Sequence, residues 1–236
     1  MVFLDWSVIP QYFNYLIGLK PDWSPYWPPE GLIMTLIIAA ITIALGFLGG
    51  LVIGMARISN NKIIYGISTV YVEAFRGTPL LVQIFLVYLG LPSFGIYLEP
   101  VVAGLIALSM NTAAYQAEIF RGGVQSIPKG QMEAARSMGL SYNQSMFQII
   151  IPQAIRNSLP SYTNEFITMI KDSSLVYTIG VVELVLSARN VSAHTFQPFV
   201  VLIFVAVLFF MVTFSTSRIM RWVERKFAIP GMMGSE

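Results

Sequence analysis

Between Glu30 and Arg57 the chain carries no charged side chain. Only Thr35 and Thr42 interrupt the run of apolar residues and glycines over 31–56. A helix crosses the hydrocarbon core of a bilayer with roughly 20 mostly apolar residues, so this stretch is long enough to span. In lipid each backbone N–H and C=O must find a partner inside the protein, which leaves the helix as the conformation for an isolated span. Two further stretches read the same way: 101–117, extended to about 120 where Glu118 is sheltered, and 196–217. Two more are apolar but interrupted. Segment 63–91 carries Glu73, Arg76 and a Gly77-Thr78-Pro79 break, and 161–186 carries Glu165, Lys171, Asp172 and Glu183. The expectation is an all-α integral membrane protein with five transmembrane helices.

Composition agrees. The 236 residues are 56% hydrophobic and 11% charged, against about 25% charged in an average soluble domain. The apolar excess is expected to face lipid. There are no cysteines, which excludes disulfides and thiolate metal sites. A net charge of +2, dispersed along the chain, argues against nucleic acid as a partner. The first residues do not read as a cleavable signal, because Asp5 precedes any Lys or Arg and Pro10 interrupts the apolar stretch.

Lys and Arg concentrate in loops on the cytoplasmic side of a membrane protein. With five spans, one side holds Arg57, Lys62, Arg121, Lys129, Arg136, Arg156, Arg218, Arg221, Arg225 and Lys226. The other holds Lys20 and Arg189. The expected orientation in the cytoplasmic (inner) membrane is N-terminus outside and C-terminus cytoplasmic. Residues 1–30 contain Trp6, Tyr12, Tyr15, Trp23, Tyr26 and Trp27 among several prolines. Aromatics of this kind sit at headgroup level, so a short interfacial helix near 5–19 and an extended lead-in are expected. The spanning domain covers 31–226, and 227–236 is a tail. In the first span Gly46, Gly50 and Gly54 repeat every four residues, a small-residue face for close helix packing.

The cytoplasmic loop 121–160 is the unusual part. Pro128-Lys129-Gly130 signals a turn. Residues 131–138 are good helix formers, and Gly139 is a helix stop. Ser141 can cap a second helix over 142–151, with Pro152 close to its end. The sequence Gly130-Gln131-Met132-Glu133-Ala134-Ala135-Arg136-Ser137-Met138-Gly139, followed by Ile149-Ile150-Ile151-Pro152, resembles the EAA loop of ABC-type import permeases. The family's usual leucine is Ile151 here. The resemblance to the polar amino-acid permeases extends over roughly 60–185: through Glu73-Ala74-Phe75-Arg76-Gly77-Thr78-Pro79, through Asn111-Thr112-Ala113-Ala114-Tyr115-Gln116-Ala117-Glu118, and through Lys171-Asp172-Ser173-Ser174-Leu175.

That resemblance implies a type I importer permease and a set of partners. They are two ABC ATPase subunits, a second permease subunit in a homo- or heterodimer, and an extracytoplasmic solute-binding protein that delivers a polar amino acid. It implies that Glu133, Ala134, Ala135 and Gly139 form the coupling helix and its stop, with the Ala-Ala face fitting a shallow cleft on the ATPase. No cofactor is expected on this chain, since ATP-Mg would sit on the partner, and G-x-x-x-x-G-K-[ST] does not occur in the sequence. The chain is not expected to be an enzyme. It has no cysteine, and His194, its only histidine, is expected in an outer loop without a ligand partner.

Ionisable residues at membrane depth are costly and usually functional. Asn111, Tyr115 and Glu118 fall on one face of the third span, and Glu165, Thr168 and Asp172 on one face of the fourth, with Asn164 and Lys171 adjacent. Broken helices are a recurring device at transporter midplane sites. The candidate substrate-binding residues are therefore Arg76, Thr78, Asn111, Tyr115, Glu118, Asn164, Glu165, Lys171, Asp172 and Ser173. Arg76 and the amides after Gly77 would take the α-carboxylate, and Asp172, Glu165 or Glu118 an ammonium or cationic side chain. Acids outnumber bases at this depth, which leans toward basic amino acids. The same charges could instead serve as internal ion pairs, Arg76 with Glu73 and Lys171 with Glu165 or Asp172. They could also be ion or proton sites of a secondary transporter.

Overall fold

A long apolar run makes a long helix, and a proline or a cluster of hydroxyls interrupts one. The computed structural model, which describes residues 4–19 and 30–227, follows that logic along the chain. Helix α1 is Val8–Ile17 and α2 is Gly31–Arg57. Helix α3, Lys62–Gly77, stops where Thr78 turns extended (φ −118°, ψ 144°). A residue before proline is pushed out of the helical region, and α4, Leu80–Phe85, restarts after Pro79 and runs on through a π turn and a 3-10 turn to Phe94. Helix α5 is Pro100–Gln125. Short helices α6 (Lys129–Ser137), α7 (Tyr142–Ser145) and α8 (Ile151–Asn157) form the loop region. Helices α9 (Leu159–Asp172), α10 (Leu184–Thr195) and α11 (Pro198–Phe227) follow. Lys20, Trp23, Tyr26, Trp27 and the tail from 228 on lie outside the described residues.

Among the described residues, α2 and α11 are each long and apolar enough to cross a membrane, and α3 with the α4 segment qualifies as one broken span. Helix α5 is as long, at 26 residues, but its polar positions, Asn111, Thr112, Gln116, Glu118 and Arg121, dilute its apolar character. The expected fourth span, 161–186, is not one helix. α9 tightens into a 3-10 turn over Ser173–Ile179, which ends at left-handed Gly180. The cause is local. Ser173 Oγ donates to Ile170 O, Ser174 Oγ to Lys171 O and Thr178 Oγ1 to Leu175 O, each three residues back. Hydroxyls that bond nearby carbonyls compete with the α-helical ladder. His194 lies on α10, a helix where an outer loop was expected.

The described residues group into two packed units: 4–19, 30–44, 79–109 and 167–215 in one, 45–78, 110–166 and 216–227 in the other. The first has a core of Met34, Ile38, Ile84, Ala103, Ala107, Leu108, Met169, Val176 and Ile179. Its second cluster joins Val8 and Leu16 of α1 to Leu184, Ala188 and Val191 of α10 and to Val201 and Val205 of α11. Helix α1 is thus docked on protein along one side, and Asn190 Nδ2 donates to Tyr15 Oη at 3.2 Å.

Glu183 anchors this unit. It is fully buried. One carboxylate oxygen accepts the amides of Val185 and Leu186, both at 2.9 Å, capping α10. The other accepts the hydroxyl of Thr35 at 3.3 Å, and Gly31 N donates to Val182 O at 3.1 Å. A helix start and the beginning of the first span are pinned through one side chain. Glu183→Ala is expected to lower stability by about 1–2 kcal/mol from the lost cap alone. Glu183→Gln, which keeps one acceptor, should cost less. Thermal unfolding of the purified protein would check this order.

Candidate functional site

The second unit holds most of the candidate residues. Its helices approach closely because Gly46, Gly50 and Gly54 of α2 face α5. An added Cβ at Gly46 would overlap Thr112, at Gly50 the Cβ of Gln116, and at Gly54 it would lie 2.7 Å from the Phe120 ring. The glycine stripe thus has an identified partner, and it brings the C-terminal end of α2 against the charged end of α5.

At that end a carboxylate is surrounded by arginines. Glu118 accepts from Arg57 Nη1 at 2.7 Å and from Arg121 Nε at 3.0 Å, with Arg121 Nη2 on its second oxygen. Arg76 Nη1 stands 3.8 Å from the same carboxylate, and its guanidinium lies 5.5 Å from the centre of the Tyr115 ring. Arg57 also reaches Glu73 at 3.7 Å. The Arg57 side chain is only 7% exposed. Arg76 therefore meets Glu118 and Tyr115, and it is Arg57 that meets Glu73. Arg121 was findable, being three residues from Glu118 on one helix. Arg57, read as a loop cation, gave no such signal, because its partner is far along the chain.

Of the other candidates in this unit, Asn111 is buried in α5, and Asn164 and Glu165 lie on the first half of α9. Thr78 Oγ1 donates to Ala74 O at 2.9 Å, and open space adjoins Gly77. Lys171, Asp172 and Ser173 belong to the first unit, where α9 gives way to the 3-10 turn. Ser173 is buried with its hydroxyl on Ile170 O, and Lys171 is exposed.

The loop 121–160 is a folded piece of this unit. Helix α6 ends in two bonds, Gly139 N to Arg136 O at 3.0 Å and Leu140 N to Ala135 O at 3.2 Å, with Gly139 at φ +87°. This is the Schellman closure, whose left-handed position is suited to glycine. Ser141 then caps α7 in a reciprocal box with Gln144, at 3.2 and 2.8 Å. The second helix does not end near Pro152. A π turn at Met146–Ile150 widens the ladder, Ile151 N bonds back to Met146 O, and α8 continues to Asn157. A wider turn ahead of Pro152 accommodates its missing N–H. Ile127, Ile150 and Ala154 pack beneath, joined by Met132 and Met146. Ala135 is buried at 2%, so the two alanines do not share one outward face. Glu133, Ala134 and Met138 form the exposed side.

Comparison with known proteins accords with this geometry. Residues 46–229 match the family described as binding-protein-dependent transport system inner membrane component. The probable glutamine ABC transporter permease of Bacillus subtilis (strain 168) is 39% identical over 197 residues, covering 84% of this chain and 91% of that protein. The L-cystine transport system permease of the same organism is 36% identical over 204 residues, covering 85% and 87%. Among solved structures, an amino acid ABC transporter superposes with a TM-score of 0.86 at 38% identity, over 95% of this chain and 100% of that one. An inward-facing methionine ABC transporter shares the fold, with a TM-score of 0.64 at 22% identity. The chain belongs to the binding-protein-dependent transport system inner membrane components, the membrane-spanning permease subunits of ABC importers.

Proposed function

We propose that this permease imports polar amino acids, driven by ATP hydrolysis on separate subunits docked against α6. The observation that carries the reading is α6 itself: a short helix, closed by the Gly139 turn, seated on the Ile127–Ile150–Ala154 cluster, with Glu133, Ala134 and Met138 uncovered. A helix so fixed moves as one piece with its unit and can transmit a push from an ATPase. Relatives named for glutamine, L-cystine, arginine and nopaline support the substrate class.

The partners are two ATPase subunits carrying ATP-Mg, a second permease and a solute-binding protein. The loop side and the C-terminus are cytoplasmic, and the N-terminus is outside. Arg76, Thr78, Asn111, Tyr115, Asn164, Glu165, Lys171, Asp172 and Ser173 are the residues on which substrate recognition rests. Glu118 acts on that site through Arg76, whose guanidinium it holds beside Tyr115. With Glu118 and Glu73 facing arginines and Glu183 tied to Thr35 and two amides, fewer acids are left to support the lean to a basic amino acid, and Asp172 carries most of it.

Two sets of variants test this in the reconstituted importer. Glu133→Ala and Gly139→Val should leave the permease folded but abolish substrate-stimulated ATP hydrolysis. Asp172→Ala and Glu165→Ala should each weaken substrate half-saturation by roughly tenfold to a hundredfold, the loss of a charge-assisted hydrogen bond of about 1.5–3 kcal/mol. Full stimulation and uptake in both carboxylate variants would contradict this site.

A further inference from the structure

Helix α11 is longer than a span requires. Its 30 residues, at about 1.5 Å each, measure about 45 Å, against a hydrocarbon core of about 30 Å. The surplus has a consistent chemistry. Val207, Met211 and Phe214 form an exposed apolar stripe at spacings of four and three. The same face continues as Arg218, Arg221 and Arg225, all exposed. Lys226 stands 5.2 Å over the ring of Trp222, which is 59% exposed. Glu224, the acid in this segment, is turned inward and accepts from Thr163 at the start of α9 in the same unit. The outer side of 218–226 is therefore basic and aromatic, and it follows directly on an exposed apolar stripe of the same helix.

We propose that residues 218–226 bind anionic phospholipid headgroups in the leaflet next to the 121–160 loop. Guanidinium groups match phosphate oxygens in paired hydrogen bonds. Tryptophan prefers the headgroup layer, and basic clusters immediately beyond a span attract acidic lipid. A lipid is favoured over an acidic protein segment because the basic face is in line with Val207, Met211 and Phe214, so one phospholipid can place its tails on the stripe and its phosphate on the arginines. The inference rests on the permease lying in a membrane, and on the proposed orientation only for which leaflet is meant.

The test uses the assembled importer, with its ATPases and binding protein, in nanodiscs of phosphatidylcholine with a minor share of phosphatidylglycerol. Native mass spectrometry counts the lipids retained by the permease. The wild type should retain phosphatidylglycerol well above its bulk share. Each neutralising change among Arg218→Gln, Arg221→Gln, Arg225→Gln and Lys226→Gln should weaken retention roughly fivefold, and the quadruple variant should retain only the bulk share. Replacing the three arginines by lysine should preserve part of the enrichment, which excludes a folding defect as the cause. Equal retention by wild type and quadruple variant would overturn the proposal. So would displacement of the lipid by excess inorganic phosphate, which would mark a phosphate site without a lipid requirement. Loss of ATPase subunits with lipid retention intact would likewise overturn it, in favour of a protein contact. Lipid counts are read whether or not any amino acid stimulates hydrolysis, so failure of the transport reading is separately visible.

Discussion

Glu118→Ala should prevent the protein from folding to a monodisperse species. The reason is Arg57, whose side chain is 7% exposed and whose closest acceptor is the Glu118 carboxylate at 2.7 Å. Removing one partner of a buried ion pair costs up to about 3–5 kcal/mol, because the other charge remains desolvated, here facing only the exposed Glu73 at 3.7 Å. Arg76 and Arg121 are better exposed and can turn toward water or headgroups, so the loss concentrates on Arg57. The double change Arg57→Met with Glu118→Leu should restore much of the stability, since a buried pair replaced by apolar groups of similar volume is often neutral. Glu118→Gln should fall between. Fluorescence-detected gel filtration after a heating series would rank the four proteins. If Glu118→Ala instead melts like the wild type and loses only transport, Glu118 contacts substrate directly and the hub role is wrong.

Gly50→Leu is expected to be as damaging, for a steric reason. Even a methyl at Gly50 overlaps the Cβ of Gln116 and approaches the α5 backbone at Ala113 O and Ala117 N. Relief requires moving a helix, not a side chain. Overpacking a closed interface typically costs 1–3 kcal/mol, and leucine at this position should exceed that range. Gly50→Ala should already destabilise. Gly66→Ala is the control. It lies in α3 with nothing near its added Cβ, and alanine is the better helix former by about 1 kcal/mol. That variant should be neutral or slightly more stable. The same thermal series reads both, and equal melting of the Gly50 and Gly66 variants would contradict the close packing of α2 on α5.

The elements legible in the sequence were those fixed by local chemistry. The uncharged run to Arg57 announced α2, the Gly77-Thr78-Pro79 break announced a helix end, and Gly139 and Ser141 announced a stop and a cap. Each of these is decided within a turn or two of chain. The tightening after Asp172 does not show in apolar content, because it is set by the hydroxyls of Ser173, Ser174 and Thr178. The continuation through Pro152 was missed because a π turn can absorb a proline, and no local signal announces one. Arg57 with Glu118, and Thr35 with Glu183, pair residues 61 and 148 positions apart. One sequence without comparison holds no trace of such partners. The family, by contrast, was readable, because the Glu-Ala-Ala loop is a local pattern of residues at fixed spacing.

The most direct test of the account is substrate-stimulated ATP hydrolysis by the reconstituted assembly. The chain is co-expressed with its ATPase and binding protein, placed in vesicles and assayed across a panel of L-amino acids. Stimulation is expected to be confined to one group of polar amino acids, strongest for a basic one, and lost on Glu133→Ala with the complex still assembled. Failure to associate with any ATPase, together with uptake driven by an ion gradient, would contradict it.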